Sequence, residues 1–385
     1  MLVVVDKNNP LVAEAFRQFG EVRALGTREI TREAVHDAAI LIVRSETKVT
    51  KELLDGSGVQ FVGTATIGTD HVDVPYLKSK GIGFASAPGS NANSVAEYVA
   101  AALLTLAERK KFSLKGRSIG VVGVGNVGSK VIRNAKALGM TVLQNDPPLA
   151  RSSGDPSFLP LDDLMNTDVI TLHVPLTKEG PDPTHHLFDG ARIKKMKKGA
   201  IIINTARGGV VDNAALKDAI IGGHLGGSVL DVWEGEPGID VELLKRVDIG
   251  TPHIAGYSFD GKLAAVRMTY SAACKHFGQK EMWRPGNSLP KPKTDRIVLS
   301  PFNGAREEVL RNIITECYDI ECDDKGLRKI EAVPEAERRT FFTRLRAEYR
   351  VRREFFNTTV EMPVQLESLK APLTSIGYSV SMKSN

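Results

Sequence analysis

The chain has 385 residues, too many for one ordinary hydrophobic core, and its 42% hydrophobic and 25% charged residues are those of a folded globular protein. No apolar run reaches bilayer-spanning length, and a formal net charge of +5 is too mild to mark a nucleic-acid surface. Cys274, Cys317 and Cys322 are odd in number and lack C-x-x-C spacing, which argues against a disulfide framework or a zinc site and for a reducing, cytoplasmic setting.

The opening MLVVVDKNNP reads as a first strand. Its apolar run is short and Asp6 and Lys7 follow at once, whereas a signal peptide needs a basic start and a longer apolar region. Residues 1–90 then alternate strand-like runs (LVVVD, AAILIVRS, VQFVGTAT, IGFASAP) with helix-like ones (PLVAEAFRQFG, TKELLDGSG, VPYLKSKG). That alternation predicts a parallel sheet covered on both faces. NSVAEYVAAALLTLAERK, 93–110, reads as a long helix with Asn93 or Ser94 as its cap.

A second βα alternation begins at RSIGVVGVG and runs to about 255. The Pro-rich, basic stretch 281–293 reads as a linker. Beyond it lie helices near NGAREEVLRNIITECY and PEAERRTFFTRLRAEY and a strand at NTTVEM. The basic run 338–353 reads as a solvated helix face beside an interface. Phe341, Phe342, Leu345 and Tyr349 recur at helical spacing and need a surface to bury against, for which a second copy of the chain is one outlet. Arg344, Arg346 and Arg350 on the same stretch would then be able to reach across such an interface.

VVGVGNVGSK, 121–130, follows a strand and opens a helix, the context in which G-x-G-x-x-G is a dinucleotide fingerprint. Gly123 would make the tight turn, Gly125 would let backbone approach a pyrophosphate, and Gly128 would allow close helix–strand packing. Eighteen residues past Gly128 the next strand ends in Asp146, placed to accept hydrogen bonds from the adenosine ribose and to repel a 2′-phosphate. The expected cofactor is therefore NAD, with Arg151 the nearest cation that would suit NADP.

Three later strand ends carry reactive groups. Arg207 follows IIINTA among small residues; Asp231, Glu234 and Glu236 follow SVL; His253 follows IGTP. An Arg can fork onto a carboxylate, and a His backed by a carboxylate can take a hydroxyl proton as an alcohol is oxidised. The adjacent His185 and His186 lack a further ligand at metal-site spacing, and no metal is expected.

Together the glycine turn, NTARGGVVD, LDVWEGEP and PHIAG resemble the D-isomer-specific 2-hydroxyacid dehydrogenases. VRSETKV at 43–49, FVGTATIGTDHVD at 61–73, NDPP at 145–148, DIGTPHIAGY at 248–257 and the extra C-terminal segment are similar to the branch of that family that oxidises a phosphorylated four-carbon acid in vitamin B6 biosynthesis. The resemblance implies two doubly wound parallel-sheet domains of Rossmann or flavodoxin type plus a C-terminal α+β dimerisation domain. It divides the chain into a substrate-binding domain, 1–92 completed by 257–280, an NAD-binding domain, 93–256, and a homodimer-forming domain, 281–385. It implies Arg207, Glu236 and His253 as catalytic residues. NAD contacts would come from Gly123, Gly125, Asn126, Val127, Gly128, Asp146, Val174, Ala206, Asp231 and Gly256. Ser45, Thr66 and Tyr257 would line the substrate pocket, and Arg44 is the candidate for the phosphate. Two features depart from the family pattern. LHVPL has Val174 where a Thr is frequent, so only backbone there can meet the cofactor, and NTARG stands where the narrower branch has NACRG. Two alternatives stay open: the same chemistry on another D-2-hydroxy acid such as 3-phosphoglycerate, or a regulatory protein that keeps the fold to sense NAD.

Overall fold

The structure is a computed structural model that describes residues 1–286, 289–301 and 304–383. Residues 287–288 of the expected linker and Asn303, in the first expected tail helix, lie outside the described residues. The chain divides into two compact units, one made of residues 1–92 and 257–291, the other of residues 93–256 and 292–385.

The first unit holds β1 (Leu2–Asp6), β2 (Glu21–Leu25), β3 (Ala38–Val43), β4 (Phe61–Thr64) and β5 (Gly83–Ala85), all parallel, in the order β2-β1-β3-β4-β5. This is the flavodoxin-like order. All six residues of β3, AAILIV, are buried, which is why that strand reads as an unbroken apolar run. The helix Phe259–His276 belongs to this unit; its Tyr270 meets Phe16 and Phe19 edge-on.

The second unit holds the helix Ala92–Arg109 from its second residue onward, and β6 (Ser118–Val122), β7 (Thr141–Asn145), β8 (Val169–Leu172), β9 (Ile201–Asn204), β10 (Gly227–Leu230) and β11 (Ile249–Gly250). The strands are parallel in the order β11-β10-β9-β8-β6-β7, and a parallel bridge from Gln144 to Phe158 extends the sheet beyond β7. With that bridge counted, the order is that of a dinucleotide-binding sheet. Ser94 does not cap the helix. It lies inside it, and its hydroxyl donates to Glu354 at 2.6 Å, because a buried hydroxyl must find a partner wherever the tertiary fold supplies one.

The tail from Pro292 is grouped with this unit. It carries a parallel three-stranded sheet, β12 (Arg296–Val298), β13 (Thr359–Pro363) and β14 (Ser379–Lys383), in chain order across the sheet. Its helices span Arg306–Cys317, Ile320–Arg328, Glu335–Ala347 and Lys370–Ile376. Leu327, Ile330 and Phe342 from the tail join Val122, Ile202, Leu230, Trp233 and Leu244 in one buried cluster. The apolar face of 341–349 thus buries against its own chain. Phe342 is fully buried, Phe341 and Leu345 pack on the cluster, and Tyr349 donates to Asp323 at 2.7 Å. The need for a second copy to cover that face falls away, because the nucleotide core already does so.

Candidate active site

Three glycines shape the turn after β6, and they do different work. A Cβ on Gly123 would sit 2.7 Å from the His173 carbonyl oxygen, and Gly123 has φ +87°. A Cβ on Gly128 would sit 1.9 Å from the Gly123 oxygen. Both are packing glycines. A Cβ on Gly125 would meet nothing within 4 Å, and Gly125 and Asn126 are exposed. Val127 leads into the ten-residue helix Gly128–Ala137, whose first turn carries no acidic residue. Open backbone at a helix start fits the pyrophosphate of a dinucleotide.

Asp146 braces this turn. Its Oδ2 accepts the Val124 N–H at 2.8 Å, and its Oδ1 accepts the Leu149 N–H at 3.0 Å as the cap of the helix Pro147–Ser153. Arg151 donates to Asp182 at 3.1 Å. Its charge is therefore spent on a neighbour. Val174 is half-buried and Ala206 is buried; the ring of His173 is bonded to the Thr171 and Thr205 hydroxyls at 2.9 and 3.3 Å. Burial pushes the His173 imidazole down to about 3, so it is neutral at physiological pH.

β9, β10 and β11 are adjacent and parallel, so the loops that follow them leave the same end of the sheet. Asn204 shapes the first loop, accepting from Ala206 N–H and donating to the Arg207 carbonyl, each at 3.0 Å. Arg207 is half-buried and its Nη1 donates to the Ala206 carbonyl at 2.8 Å. A Cβ on Gly208 would lie 2.1 Å from the Trp233 carbonyl oxygen, so glycine lets the Arg207 loop press on the β10 loop.

In the second loop Glu236 accepts the Trp233 N–H on Oε2 at 3.1 Å and is hydrogen-bonded to His253 Nδ1 through Oε1. Burial raises its carboxyl, but the His253 charge, its ring hydrogen bond, the Trp233 N–H and the Arg346 charge outweigh this and hold it below the usual range. His253 stands in the left-handed region at φ +57°. Its N–H donates to the Asp231 carbonyl at 2.7 Å. The Asp231 carboxylate, 1% exposed, accepts from Ile254 N–H (2.7 Å), Ala255 N–H (3.0 Å) and the Thr251 hydroxyl (2.6 Å). Its carboxyl is raised by burial against the pull of His253 and these donors. Asp231, the residue expected at the cofactor, is thus also tied to the histidine loop. Thr251 also meets the Tyr98 hydroxyl at 2.7 Å, and the Trp233 indole donates to the Thr251 carbonyl at 2.9 Å. Sequence reading gave neither aromatic a role; their only signal was a polar tip inside an apolar run.

Glu234 takes a different partner: Oε1 meets His186 Nε2 at 2.6 Å. His185, His186 and Glu234 bring ligand-type atoms within 4.8 Å of one another. Sequence spacing missed Glu234 as a third group beside the histidines because the sheet, not the local chain, brings it there.

In the first unit, Ser45 is exposed, and Thr66 bonds to the Thr64 hydroxyl at 2.8 Å and donates to the Gly68 carbonyl at 3.1 Å. Thr64 also meets His71 Nε2 at 2.9 Å. Burial lowers the His71 imidazole more than Asp70 raises it. The Tyr257 ring lies under Lys262 Nζ at 4.6 Å. Arg44 Nε is 3.5 Å from buried Asp6, and its Nη2 is 3.5 Å from Glu46. In the tail, Arg350 is bonded to Asp323 and Arg344 lies over the Phe341 ring at 5.5 Å. Arg346 acts on Glu236 of its own chain.

Residues 91–255 match the family model described as "D-isomer specific 2-hydroxyacid dehydrogenase, NAD binding domain", and 288–377 match "Domain of unknown function (DUF3410)". The chain is 46% identical over 366 residues to the erythronate-4-phosphate dehydrogenase of Salinibacter ruber, covering 93% of each chain. It is 43% identical over 389 residues to that of Chromohalobacter salexigens, covering 100% of each. Among solved structures it resembles D-lactate dehydrogenase from Aquifex aeolicus complexed with NAD and lactic acid, with a TM-score of 0.59 and 29% identity, over 72% of this chain and 95% of that one.

Proposed function

The chain belongs to the erythronate-4-phosphate dehydrogenases, within the D-isomer-specific 2-hydroxyacid dehydrogenase family, and from that premise we propose how its residues carry out the oxidation. The substrate is 4-phospho-D-erythronate and the product the 2-oxo acid (R)-3-hydroxy-2-oxo-4-phosphooxybutanoate, a step towards vitamin B6. NAD, when bound, supplies the acceptor for the hydride that leaves C2.

His253 takes the C2 hydroxyl proton. With Nδ1 held by Glu236, Nε2 is the ring atom that faces this task, and the ionised Glu236 stabilises the imidazolium that results. Arg207 forks onto the substrate carboxylate. Gly123, Gly125, Asn126, Val127 and Gly128 cradle the pyrophosphate, Asp146 meets the ribose, and backbone at Val174, Ala206 and Gly256 borders the nicotinamide end. Ser45, Thr66, Tyr257 and Arg44 serve the substrate, Arg44 through the face of its guanidinium not turned to Asp6. The observation that carries this reading is the Glu236–His253 pair on adjacent strand ends. The test is a panel of 4-phosphoerythronate, erythronate, 3-phosphoglycerate and lactate, read by NADH absorbance. Equal efficiency on phosphorylated and unphosphorylated erythronate would refute the substrate.

A homodimer through the tail remains part of the proposal on different grounds from those of the sequence. Val298, Val351, Phe356 and Val364 are exposed apolar residues of the tail. No helix among the described residues is long and apolar enough to cross a membrane. The unpaired cysteines suit the cytoplasm.

A further inference from the structure

β11 is a two-residue edge strand, paired with β10 on one side only, and it delivers His253. Edge strands leave backbone groups without a ladder partner. Here the Gly250 N–H donates to Oδ1 of Asp324, a buried tail residue, at 2.8 Å. Asp324 in turn pairs with Arg328 at 3.0 Å, and Arg328 donates to the carbonyls of Leu244 and Val247 at 2.8 Å each. Beyond His253, Arg352 of the tail donates from Nη1 to the Ala255 carbonyl at 3.2 Å.

Arg352 is itself held through both terminal nitrogens. Its Nη2 donates to the Ser94 carbonyl at 2.8 Å and to Glu97 at 3.2 Å, and the guanidinium lies 3.9 Å over the Tyr318 ring. Glu97 also accepts the Phe355 N–H at 2.8 Å. Ala255 is thus held at both of its backbone groups, its N–H by Asp231 and its carbonyl by Arg352. A buried guanidinium is a poor source of net stability, and an apolar side chain would fill the same space. What an arginine adds is a directed donor.

We propose that the tail braces the histidine loop: Asp324 and Arg352 are positioning residues that fix Gly250 and Ala255 and so set the orientation of His253. This assigns a role to a segment whose family model carries none, and it rests on His253 being the proton acceptor proposed above.

The test is the double variant Arg352→Met with Glu97→Gln. It removes the buried guanidinium together with the carboxyl it faces, and keeps an oxygen for the Phe355 N–H, so the fold has little reason to fail. A brace predicts kcat down by about tenfold or more, as expected for a small misplacement of a catalytic group. It also predicts unchanged NAD affinity and faster hydrogen exchange at the Ile254 and Ala255 amides. Wild-type kcat and exchange in the folded variant would overturn it. Should that variant not fold, Asp324→Leu against Asp324→Asn decides: Asn keeps the acceptor for Gly250 and should retain more kcat than Leu, and equal values would overturn the brace. The amide exchange reads the brace even if the wild type proves inactive on 4-phosphoerythronate, an outcome that would count against the substrate alone.

Discussion

Glu236 and His253 are joined side chain to side chain, although one follows β10 and the other β11. Neither strand is long, and the pairing exists because the two lie next to each other in a parallel sheet. Replacing His253 by Ala should lower kcat by about 10²–10⁴-fold, the usual share of a general base. NAD affinity, measured by fluorescence titration, should persist because the glycine turn is built from other residues. A parallel loss of NAD affinity would make His253 structural.

Gly208→Ala should destabilise the protein by about 1–3 kcal/mol, the range for overpacking. The new methyl would meet the Trp233 backbone at 2.1 Å, and neither loop can yield without moving Arg207 or Glu236. Urea unfolding measures the first effect and a raised KM the second. An unchanged unfolding midpoint would mean the loops are looser than they stand.

Asp146→Ser should narrow the preference for NAD over NADP. Serine can still cap the helix Pro147–Ser153, so the stability cost should stay below the ~0.5–2 kcal/mol of losing a cap. Arg151 is held by Asp182 and should not rescue NADP binding in the wild type. Equal use of both cofactors by the unaltered enzyme would remove Asp146 from the ribose.

Two groups that folding shifts in opposite directions give opposite pH dependences. His173 falls from 6.5 to about 3 on folding, so below 6.5 the unfolded chain takes up a proton that the folded one refuses, and stability is lost as pH falls from 6.5 towards 3. Glu97 rises from 4.5 to about 8, chiefly by burial, so the folded state holds the extra proton and stability declines as pH rises from 4.5 towards 8. Denaturant midpoints against pH should flatten on the acid side in His173→Gln and on the neutral side in Glu97→Gln. Curves that coincide with the wild type would show that neither group titrates with folding.

For the assembly, Val351→Asp together with Phe356→Asp should convert a dimer to a monomer by light scattering. Both side chains are exposed on the tail, so the fold should be untouched. A dimer that survives both changes would place the interface elsewhere.

By itself the sequence determined the two parallel sheets and the cofactor turn. Runs such as AAILIV and SIGVV state their burial on both faces, and Gly123 and Gly128 answer to constraints set within a few residues or by the strand beside them. It also placed Arg207, Glu236 and His253 at strand ends, because a strand's end is a local event. Choosing among neighbours was a different matter. Two glutamates follow β10 two residues apart, and only the packed loops give Glu236 to His253 and Glu234 to His186. Ser94 reads as a helix cap until Glu354, 260 residues away, takes its hydroxyl. The amphipathic face at 341–349 declares that it must be buried, yet periodicity carries no record of what buries it, and the fold supplied this chain's own nucleotide core. A side-chain pattern encodes the environment a residue requires; which distant segment provides it is settled only when the chain closes on itself.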